Sequence, residues 1–152
     1  MHTGFQRRAS ADGSHPALYG WDNEFGNLHE RVQKFSVSEK LTSNAEFLNF
    51  VRDRGYDKEE YWSKEGWNWV SDTGSSYPKF WVNKSDKKNL DPSNFTLRLT
   101  LSETRDFWNL PVEVNCFEAY AYCRWLSKKL GKAIRLPTEN EYYSMLQHIG
   151  FD

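Results

Sequence analysis

Cysteine is scarce in this sequence, with only Cys116 and Cys123 among 152 residues. The two lie within a predicted helix at a spacing that separates them by about 10 Å along the helix axis. A disulfide requires Cα atoms within roughly 7 Å of each other. The spacing therefore excludes a disulfide between them, and both are predicted to be small apolar residues of the helix.

Long apolar runs and an excess of one charge are also missing. No run approaches the roughly 20 apolar residues that span a bilayer, and the N-terminus has no apolar segment typical of a secretory signal. The formal net charge is -1, and no long run of like charges suggests a nucleic-acid groove. We therefore expect a soluble, cytoplasmic protein of one domain at most, with neither nucleic acid nor membrane among its partners.

The motifs of common catalytic sites do not occur. The histidines, His2, His15, His29 and His148, show none of the spacings H-x-x-x-H, H-x-x-H or H-E-x-x-H, and C-x-x-C is missing. A mononuclear iron site needs two or three convergent ligands. G-x-S-x-G, the P-loop and G-x-G-x-x-G are missing as well. The sequence therefore predicts no metal ligand and no catalytic residue within this chain.

Aromatic residues, in contrast, are abundant at 16% of the chain, and seven of them are Trp. Gly-Tyr, Tyr-Trp, Gly-Trp-x-Trp and Pro-x-Phe-Trp follow one another between residues 55 and 81. Large rings with polar edges are typical of a core built from aromatic rather than aliphatic side chains. A substrate box or a carbohydrate-binding surface is the alternative interpretation of the same cluster.

Helix-capping residues occur at four positions, each followed three residues later by Glu, which is the spacing of a capping box. Gly residues mark the predicted ends of three of these helices. In the third helix, apolar residues recur at helical spacing. The helices are predicted to begin at Ser43, Asp57, Asn115 and Thr138 and to end near Gly55, Gly66 and Gly131, and the apolar face of the third carries Phe117, Tyr120, Ala121, Trp125 and Leu126.

Alternating and β-branched stretches predict four strands, at residues 31–38, 95–101, 111–114 and 133–136. The second alternates most clearly, with Phe95, Leu97, Leu99 and Leu101 on one face. Residues 83–94 are predicted to be a polar loop. Strands interleaved with short helices, without βαβ repetition, indicate an irregular α+β fold.

Two motifs in the last third of the chain resemble a known family. Residues 111–126 read P-V-x-V-x-x-x-x-A-x-A-Y-C-x-W-L, and residues 135–141 read R-L-P-T-E-x-E. Both are similar to motifs of the formylglycine-generating, or sulfatase-modifying factor, family. The resemblance implies a C-type-lectin-like fold of which this chain holds the N-terminal portion. We expect residues 1–14 to form a flexible tail and residues 15–152 a partial domain.

Further segments resemble one subgroup of that family, the iron-dependent sulfoxide synthases of thiohistidine biosynthesis. These segments are Y-G-W-D-N-E-F-G at residues 19–26 and the aromatic series at residues 55–81. They are most similar to the ovothiol branch, the 5-histidylcysteine sulfoxide synthases. The hercynylcysteine (ergothioneine) branch and a non-catalytic, lectin-like binding module are the alternatives. A formylglycine-generating enzyme is disfavoured by Trp21 and by the aromatic pattern from Gly66 to Trp81.

The resemblance implies that a parent enzyme joins the sulfur of cysteine to a ring carbon of histidine, using O2 and Fe(II). In that subgroup the iron-binding histidines belong to an N-terminal helical domain with an H-x-x-x-H-x-E pattern, which has no counterpart here. We therefore expect the isolated chain to bind no iron and to be inactive. Because the resemblance covers only about the first half of the family domain, exposed rings are expected to favour self-association.

Six residues are predicted to line the substrate cavity of the parent enzyme. The alternative interpretation of Asp22 and Glu24 is a turn in which their carboxylates cap local backbone amides. The alternative interpretation of the Trp67 and Trp69 rings is that they belong to the core. Arg135, Glu139 and Glu141 are predicted to form a structural ion-pair and capping set. The six predicted substrate-lining residues are Asp22, Asn23, Glu24, Trp67, Asn68 and Trp69.

Overall fold

The computed structural model describes the backbone of residues 4–6 and 27–29, and residues 31–86 and 88–149 with their side chains. The chain divides into two compact units, residues 38–136 and residues 1–37 with 137–152. Short 3₁₀ turns occupy Gly55–Asp57, Glu59–Tyr61 and Pro92–Asn94. The regular elements are, in chain order, β1 (Gly4–Gln6), β2 (Asn27–His29), α1 (Asn44–Arg52), α2 (Lys64–Thr73), β3 (Trp81–Asn83), β4 (Phe95–Arg98), β5 (Glu103–Thr104), α3 (Cys116–Leu130) and α4 (Glu139–His148).

Three of the four predicted helix starts are confirmed, each with a complete capping box. The Ser43 hydroxyl accepts a hydrogen bond from the backbone N–H of Glu46, whose carboxylate accepts one from the Ser43 N–H. The same reciprocal pair forms at the start of α3 and of α4. The predicted end of α3 is confirmed as well, because Gly131 has a φ of 62°, a backbone conformation that glycine adopts without strain.

The helix predicted over residues 57–66 is wrong. Two 3₁₀ turns occupy its first half, and α2 begins only at Lys64, where the Ser63 hydroxyl caps the N–H of Gly66. Trp62 between them is extended, and its indole N–H donates to the Gly55 carbonyl at 2.9 Å. This contact, made by a buried ring, holds the Trp62 backbone in an extended conformation, and the capping spacing at Asp57 does not reveal it.

The three-stranded antiparallel sheet has the order β3-β4-β5, with Trp81 opposite Leu97 and Leu97 opposite Thr104. The strand predicted over residues 95–101 therefore ends early, at Arg98. Of its predicted apolar face, Phe95 and Leu97 pack in the core, whereas Leu99 and Leu101 are exposed. Leu99 donates its N–H to the Ser102 carbonyl, which closes a tight turn and leaves Leu101 97% exposed.

The strands predicted at residues 31–38, 111–114 and 133–136 are wrong, because the structure assigns none of these segments to a strand. Pro111 forms one isolated bridge with Ser43, and the Val112 N–H donates to the Thr42 carbonyl. A single bridge satisfies backbone groups without extending into a ladder. Within the predicted polar loop, the structure shows the end of β3 and the 3₁₀ turn Pro92–Asn94.

The core of residues 38–136 is aromatic, as predicted. Phe50 is 0% exposed. Its ring centroid lies between 5.3 and 6.3 Å from those of six other rings, mostly in tilted or edge-on arrangements that aromatic pairs prefer. These six are Phe47, Tyr56, Tyr61, Trp62, Tyr122 and Trp125.

Not all of the predicted apolar face of α3 is buried. Ala121 and Trp125 are buried, but Phe117 lies at the edge of the core and Tyr120 is 50% exposed. A narrow apolar stripe suffices where a helix packs on one side only. Whether these exposed rings drive self-association stays a prediction.

One buried amide connects α1 to distant parts of the chain. Asn44 is 1% exposed and accepts a hydrogen bond from the Trp81 indole N–H at 2.8 Å. Its own amide group donates to the carbonyls of Phe107 and Leu110 at 3.0 and 2.8 Å. Buried polar groups need such partners, so this side chain fixes the start of α1 against both β3 and the segment that precedes α3.

The other unit contains α4 and an antiparallel pair of strands, β1 and β2, in which Gly4 lies opposite His29. Gly4–Gln6 lie within the predicted N-terminal tail. Helices and small antiparallel sheets confirm the α+β class, whereas the C-type-lectin-like assignment stays a prediction. In the part of the chain that the structure describes, no helix has the length and apolarity to cross a bilayer.

Candidate functional site

Three of the predicted substrate-lining residues lie on α2, where helical geometry separates them. Gly66 and Val70 form the buried stripe of this helix. At about 100° per residue, Trp67 and Trp69 flank that stripe on opposite sides, and Asn68 lies on the far side. Their burial agrees, because both rings are half-buried and Asn68 is exposed. These residues are therefore neighbours in sequence without sharing one face.

Trp69 lies in a row of three rings. Its centroid is 6.1 Å from that of Trp62 and 6.3 Å from that of Phe117, with interplanar angles of 34° and 36°. The close approach of α2 to α3 depends on Gly66, where a Cβ atom would lie 3.3 Å from the Phe117 Cβ. Trp69 is therefore a packing residue between the helices, with part of its ring exposed.

The other three predicted residues, Asp22, Asn23 and Glu24, lie outside the described residues. Of the predicted cavity, the structure therefore describes only the half on α2. The assignment of all six residues to a substrate cavity stays a prediction.

A buried acidic pair lies at the start of α3. The Tyr56 hydroxyl donates a short hydrogen bond to one carboxylate oxygen of Glu118, and the other oxygen accepts from the Asn115 backbone N–H at 2.8 Å. Glu118 is 3% exposed, and burial raises its pKa although both hydrogen bonds lower it. Burial, followed by the nearby Glu118 charge, raises the pKa of Tyr56 well above its usual range.

Sequence reasoning identified Glu118 only as a capping residue. Its tyrosine partner is 62 positions away, and no local pattern indicates such a pair. The arrangement holds a proton between two oxygen atoms inside the core. Because the pair is closed off from solvent, its chemical effect is on the pH dependence of stability.

The two cysteines are free, as predicted, with Cys116 exposed and Cys123 buried. Burial raises the pKa of the Cys123 thiol, which lowers its thiolate fraction at neutral pH. Neither is therefore arranged as half of a reactive pair.

The described residues do not fit an iron site. Nowhere in residues 31–86 and 88–149 do three His, Cys, Asp or Glu side chains come together to hold a metal ion. Iron bound through protein side chains needs such convergence.

Comparison with known proteins places most of the chain in one family. The sequence model of the sulfatase-modifying factor enzyme 1-like domain matches residues 4–145. A hercynine oxygenase of Mycolicibacterium thermoresistibile is 32% identical over 126 residues, which are 82% of this chain and 24% of that protein. Hercynine oxygenases of Mycolicibacterium smegmatis and Mycobacterium tuberculosis are each 30% identical, over 80% of this chain and 25% of their own length.

The chain thus spans about a quarter of the length of these curated relatives. The family match, in contrast, covers nearly the whole chain and includes both motifs at residues 111–126 and 135–141. The protein belongs to the sulfatase-modifying factor enzyme 1-like domain family.

Proposed function

We propose that this chain is part of a non-haem, iron-dependent sulfoxide synthase that joins the sulfur of cysteine to a ring carbon of histidine with O2. The observation that carries the proposal is the similarity to curated hercynine oxygenases over 80 to 82% of the chain. The motifs and the family match support it. In this proposal the partners are small molecules, and the enzyme is cytoplasmic.

The ovothiol branch, which uses free histidine, is the first candidate. It is supported by the string at residues 19–26 and by the aromatic series at residues 55–81. The ergothioneine branch is the second candidate, and the names of the three relatives favour it. The two substrates differ at the amino group, which is a free ammonium in histidine and a quaternary ammonium in hercynine.

The predicted cavity residues suggest a chemical basis for that choice. A free ammonium group donates hydrogen bonds, and the carboxylates of Asp22 and Glu24 are its natural acceptors. A quaternary ammonium cannot donate, and it is recognised by an aromatic face, such as the half-exposed ring of Trp67 or, on the other side of α2, that of Trp69. Specificity in the proposal therefore depends on which of these two groups meets the substrate.

Fe(II) belongs in this proposal to the whole enzyme, and its ligands lie outside this chain. When bound, iron supplies the activation of O2. The role of this chain is a scaffold, in which the aromatic core holds α2 and α3 in fixed positions. We expect the isolated chain to form no product.

The test compares the full-length parent enzyme with the 152-residue chain. Both are loaded with Fe(II) and supplied with cysteine, O2 and either histidine or hercynine, and sulfoxide products are identified by mass spectrometry. Product from histidine in the full-length protein alone supports the ovothiol branch, and product from hercynine alone supports the other. No product with either substrate refutes the proposal in favour of a binding module. Iron-dependent product from the isolated chain contradicts the scaffold role.

The Asn68→Ala variant of the full-length enzyme tests the predicted cavity. Because Asn68 is exposed on α2, its removal leaves folding unchanged, and a rise in KM of about tenfold is expected if its amide meets the substrate. Asn49→Ala is the matched control, since Asn49 is an exposed asparagine on α1. Equal KM values for the two variants remove Asn68 from the cavity.

A further inference from the structure

An open groove runs between the 3₁₀ turn Glu59–Tyr61 and the C-terminal half of α3. Its volume is about 540 Å³, within the size range of ligand-binding clefts. Among the described residues, its lining contains none of the three predicted cavity residues of α2. Its lining includes Glu60, Tyr61, Arg124, Ser127, Lys128 and Lys132.

The lining of this groove is strongly cationic, with three basic side chains against one carboxylate. Arg124 and Lys128 are one helical turn apart, on the same face of α3. Lys132 follows the helix, and its backbone N–H donates to the Ser127 carbonyl, which keeps it against the helix end. The groove therefore presents a row of positive charges along its length.

Among the described residues, one of these three cations has an acidic partner. The Lys128 Nζ lies 2.7 Å from the Glu60 carboxylate, and both side chains are more than half exposed. Arg124 and Lys132 form no ion pair within residues 31–86 and 88–149. An exposed pair of this kind contributes little to stability, so an incoming carboxylate can replace Glu60 at small cost.

Arg124 is held in position while most of its donors remain available. One guanidinium nitrogen donates to the Trp62 carbonyl at 2.7 Å. Trp62 is itself fixed, because its ring is buried and its indole N–H is bonded to Gly55. A guanidinium group has five N–H donors in a planar fork that matches a carboxylate. Because the Arg124 side chain is already held in place, little further conformational entropy is lost when an anion binds it.

The Tyr61 ring holds two lysine side chains beside one wall of the groove. The Nζ atoms of Lys58 and Lys128 lie 5.8 and 5.7 Å from the centroid of its ring. The ring attracts both cations, and it keeps their charge beside the groove.

We propose that this groove docks an acidic segment of a partner polypeptide in extended conformation. The pitch of α3 places Arg124 and Lys128 about 6 Å apart along the axis, and alternate side chains of an extended chain repeat at about 6.6 Å. A segment with Glu at every second position thus matches the row, with one carboxylate on Arg124 and the next on Lys128. The length and openness of the row favour a segment over a single small anion. This inference does not depend on the sulfoxide synthase proposal.

Fluorescence anisotropy tests the docking with a labelled peptide that contains Glu-Ser-Glu-Ser-Glu and a matched peptide with Gln in place of Glu. The 152-residue protein is expected to bind the Glu peptide at least about tenfold more tightly than the Gln peptide. Binding is expected to weaken as salt rises, because the exposed charges are screened. Equal binding of the two peptides overturns the proposal.

Charge-removing variants locate the binding. The double variant Arg124→Gln with Lys132→Gln is expected to weaken binding of the Glu peptide by about tenfold. The control, Lys40→Gln with Arg105→Gln, removes two exposed cations outside the groove and is expected to change it by less than about twofold. Circular dichroism verifies folding. Equal losses in the groove variant and the control overturn the proposal.

Two further measurements keep the result unambiguous. Within the described residues the Lys132 side chain forms no hydrogen bond or ion pair, so Lys132→Gln alone is expected to preserve folding and to weaken binding by about threefold even if the double variant unfolds. Free glutamate and inorganic phosphate are added as competitors. If either displaces the peptide at the peptide's own concentration, the groove is a small-anion site and the docking of a segment is refuted.

Discussion

The buried amide of Asn44 gives the sharpest test of how this fold is held together. In Asn44→Ala, the indole N–H of Trp81 loses its acceptor inside the core, where water does not replace it. The carbonyls of Phe107 and Leu110 also lose a donor. Each carbonyl keeps one backbone donor, however: the Leu110 N–H still donates to the Phe107 carbonyl, and the Asn44 N–H still donates to the Leu110 carbonyl.

The magnitude follows from this inventory. An orphaned buried donor costs about 1 to 3 kcal/mol, and the two shorter carbonyl hydrogen bonds cost about 1 kcal/mol each. The third carbonyl hydrogen bond, to Pro111 at 3.2 Å, adds little, because the amide has only two N–H groups for three acceptors. We therefore expect Asn44→Ala to lower the free energy of unfolding by about 3 to 5 kcal/mol. That is a large share of the total for a small domain, which is about 5 to 15 kcal/mol.

Urea unfolding, followed by Trp fluorescence, measures the loss. Asn49→Ala is the matched control, because Asn49 is exposed on the same helix and, within the described residues, its side-chain amide forms one hydrogen bond, to the Ala45 carbonyl at 3.3 Å. We expect the control to change the free energy of unfolding by less than about 0.5 kcal/mol. If Asn44→Ala costs no more than the control, the amide does not fix α1 and the reasoning fails.

Three further predictions concern stability. Burial raises the pKa of Glu118 above its usual 4.5, so its stabilising contribution is complete below pH 4.5 and is lost as pH rises through the raised pKa. In Glu118→Gln this pH-dependent loss of stability should vanish. The free energy of unfolding, measured in urea across the same pH range, checks this. If it falls equally with pH in both proteins, the prediction is wrong. Gly55→Ala should lower the free energy of unfolding by about 3 kcal/mol, because the new Cβ would lie 2.1 Å from the buried Phe50 ring. Gly131→Ala should lower it by only about 1 kcal/mol in the same assay, because the site is open and the strain comes from its φ of 62° alone. Trp69→Ala should lower the free energy of unfolding by about 2 kcal/mol through lost packing, whereas Asn68→Ala should leave it almost unchanged. If Trp69→Ala keeps full stability and loses only ligand binding, the packing role is wrong.

Local chemistry made the helix starts predictable from the sequence. A capping box needs only two residues three positions apart, and the boxes at Ser43, Asn115 and Thr138 all form. The same spacing at Asp57 did not start a helix. There a tertiary contact, the buried Trp62 indole on the Gly55 carbonyl, holds the backbone extended and prevails over the local signal.

The strands were less predictable because a strand requires a partner. The alternation at residues 31–38 has no paired strand among the described residues, and at residues 95–101 it continues past the point where the hairpin turns. The side-chain pairs that matter most are also distant in sequence, such as Tyr56 with Glu118. Periodicity carries no information about such pairs.

The same distance limited what the sequence indicated about sites. The aromatic series was correctly interpreted as core, but its division into buried and half-exposed rings depends on the helical phase of α2. The cationic groove has a local component, the spacing of Arg124 and Lys128. Its other wall comes from residues 60 and 61, more than sixty positions earlier.

The contacts of Asn44 have a consequence during synthesis on the ribosome. Its partner carbonyl at Phe107 is 63 residues further along the chain, and at about 5 to 20 residues per second that residue is added roughly 3 to 13 seconds later. In this interval the apolar face of α1, which carries Phe47, Leu48, Phe50 and Val51, lacks the α3 residues that cover it. The nascent chain therefore exposes this apolar face for several seconds. A chaperone that binds apolar segments is expected to bind the chain first at α1.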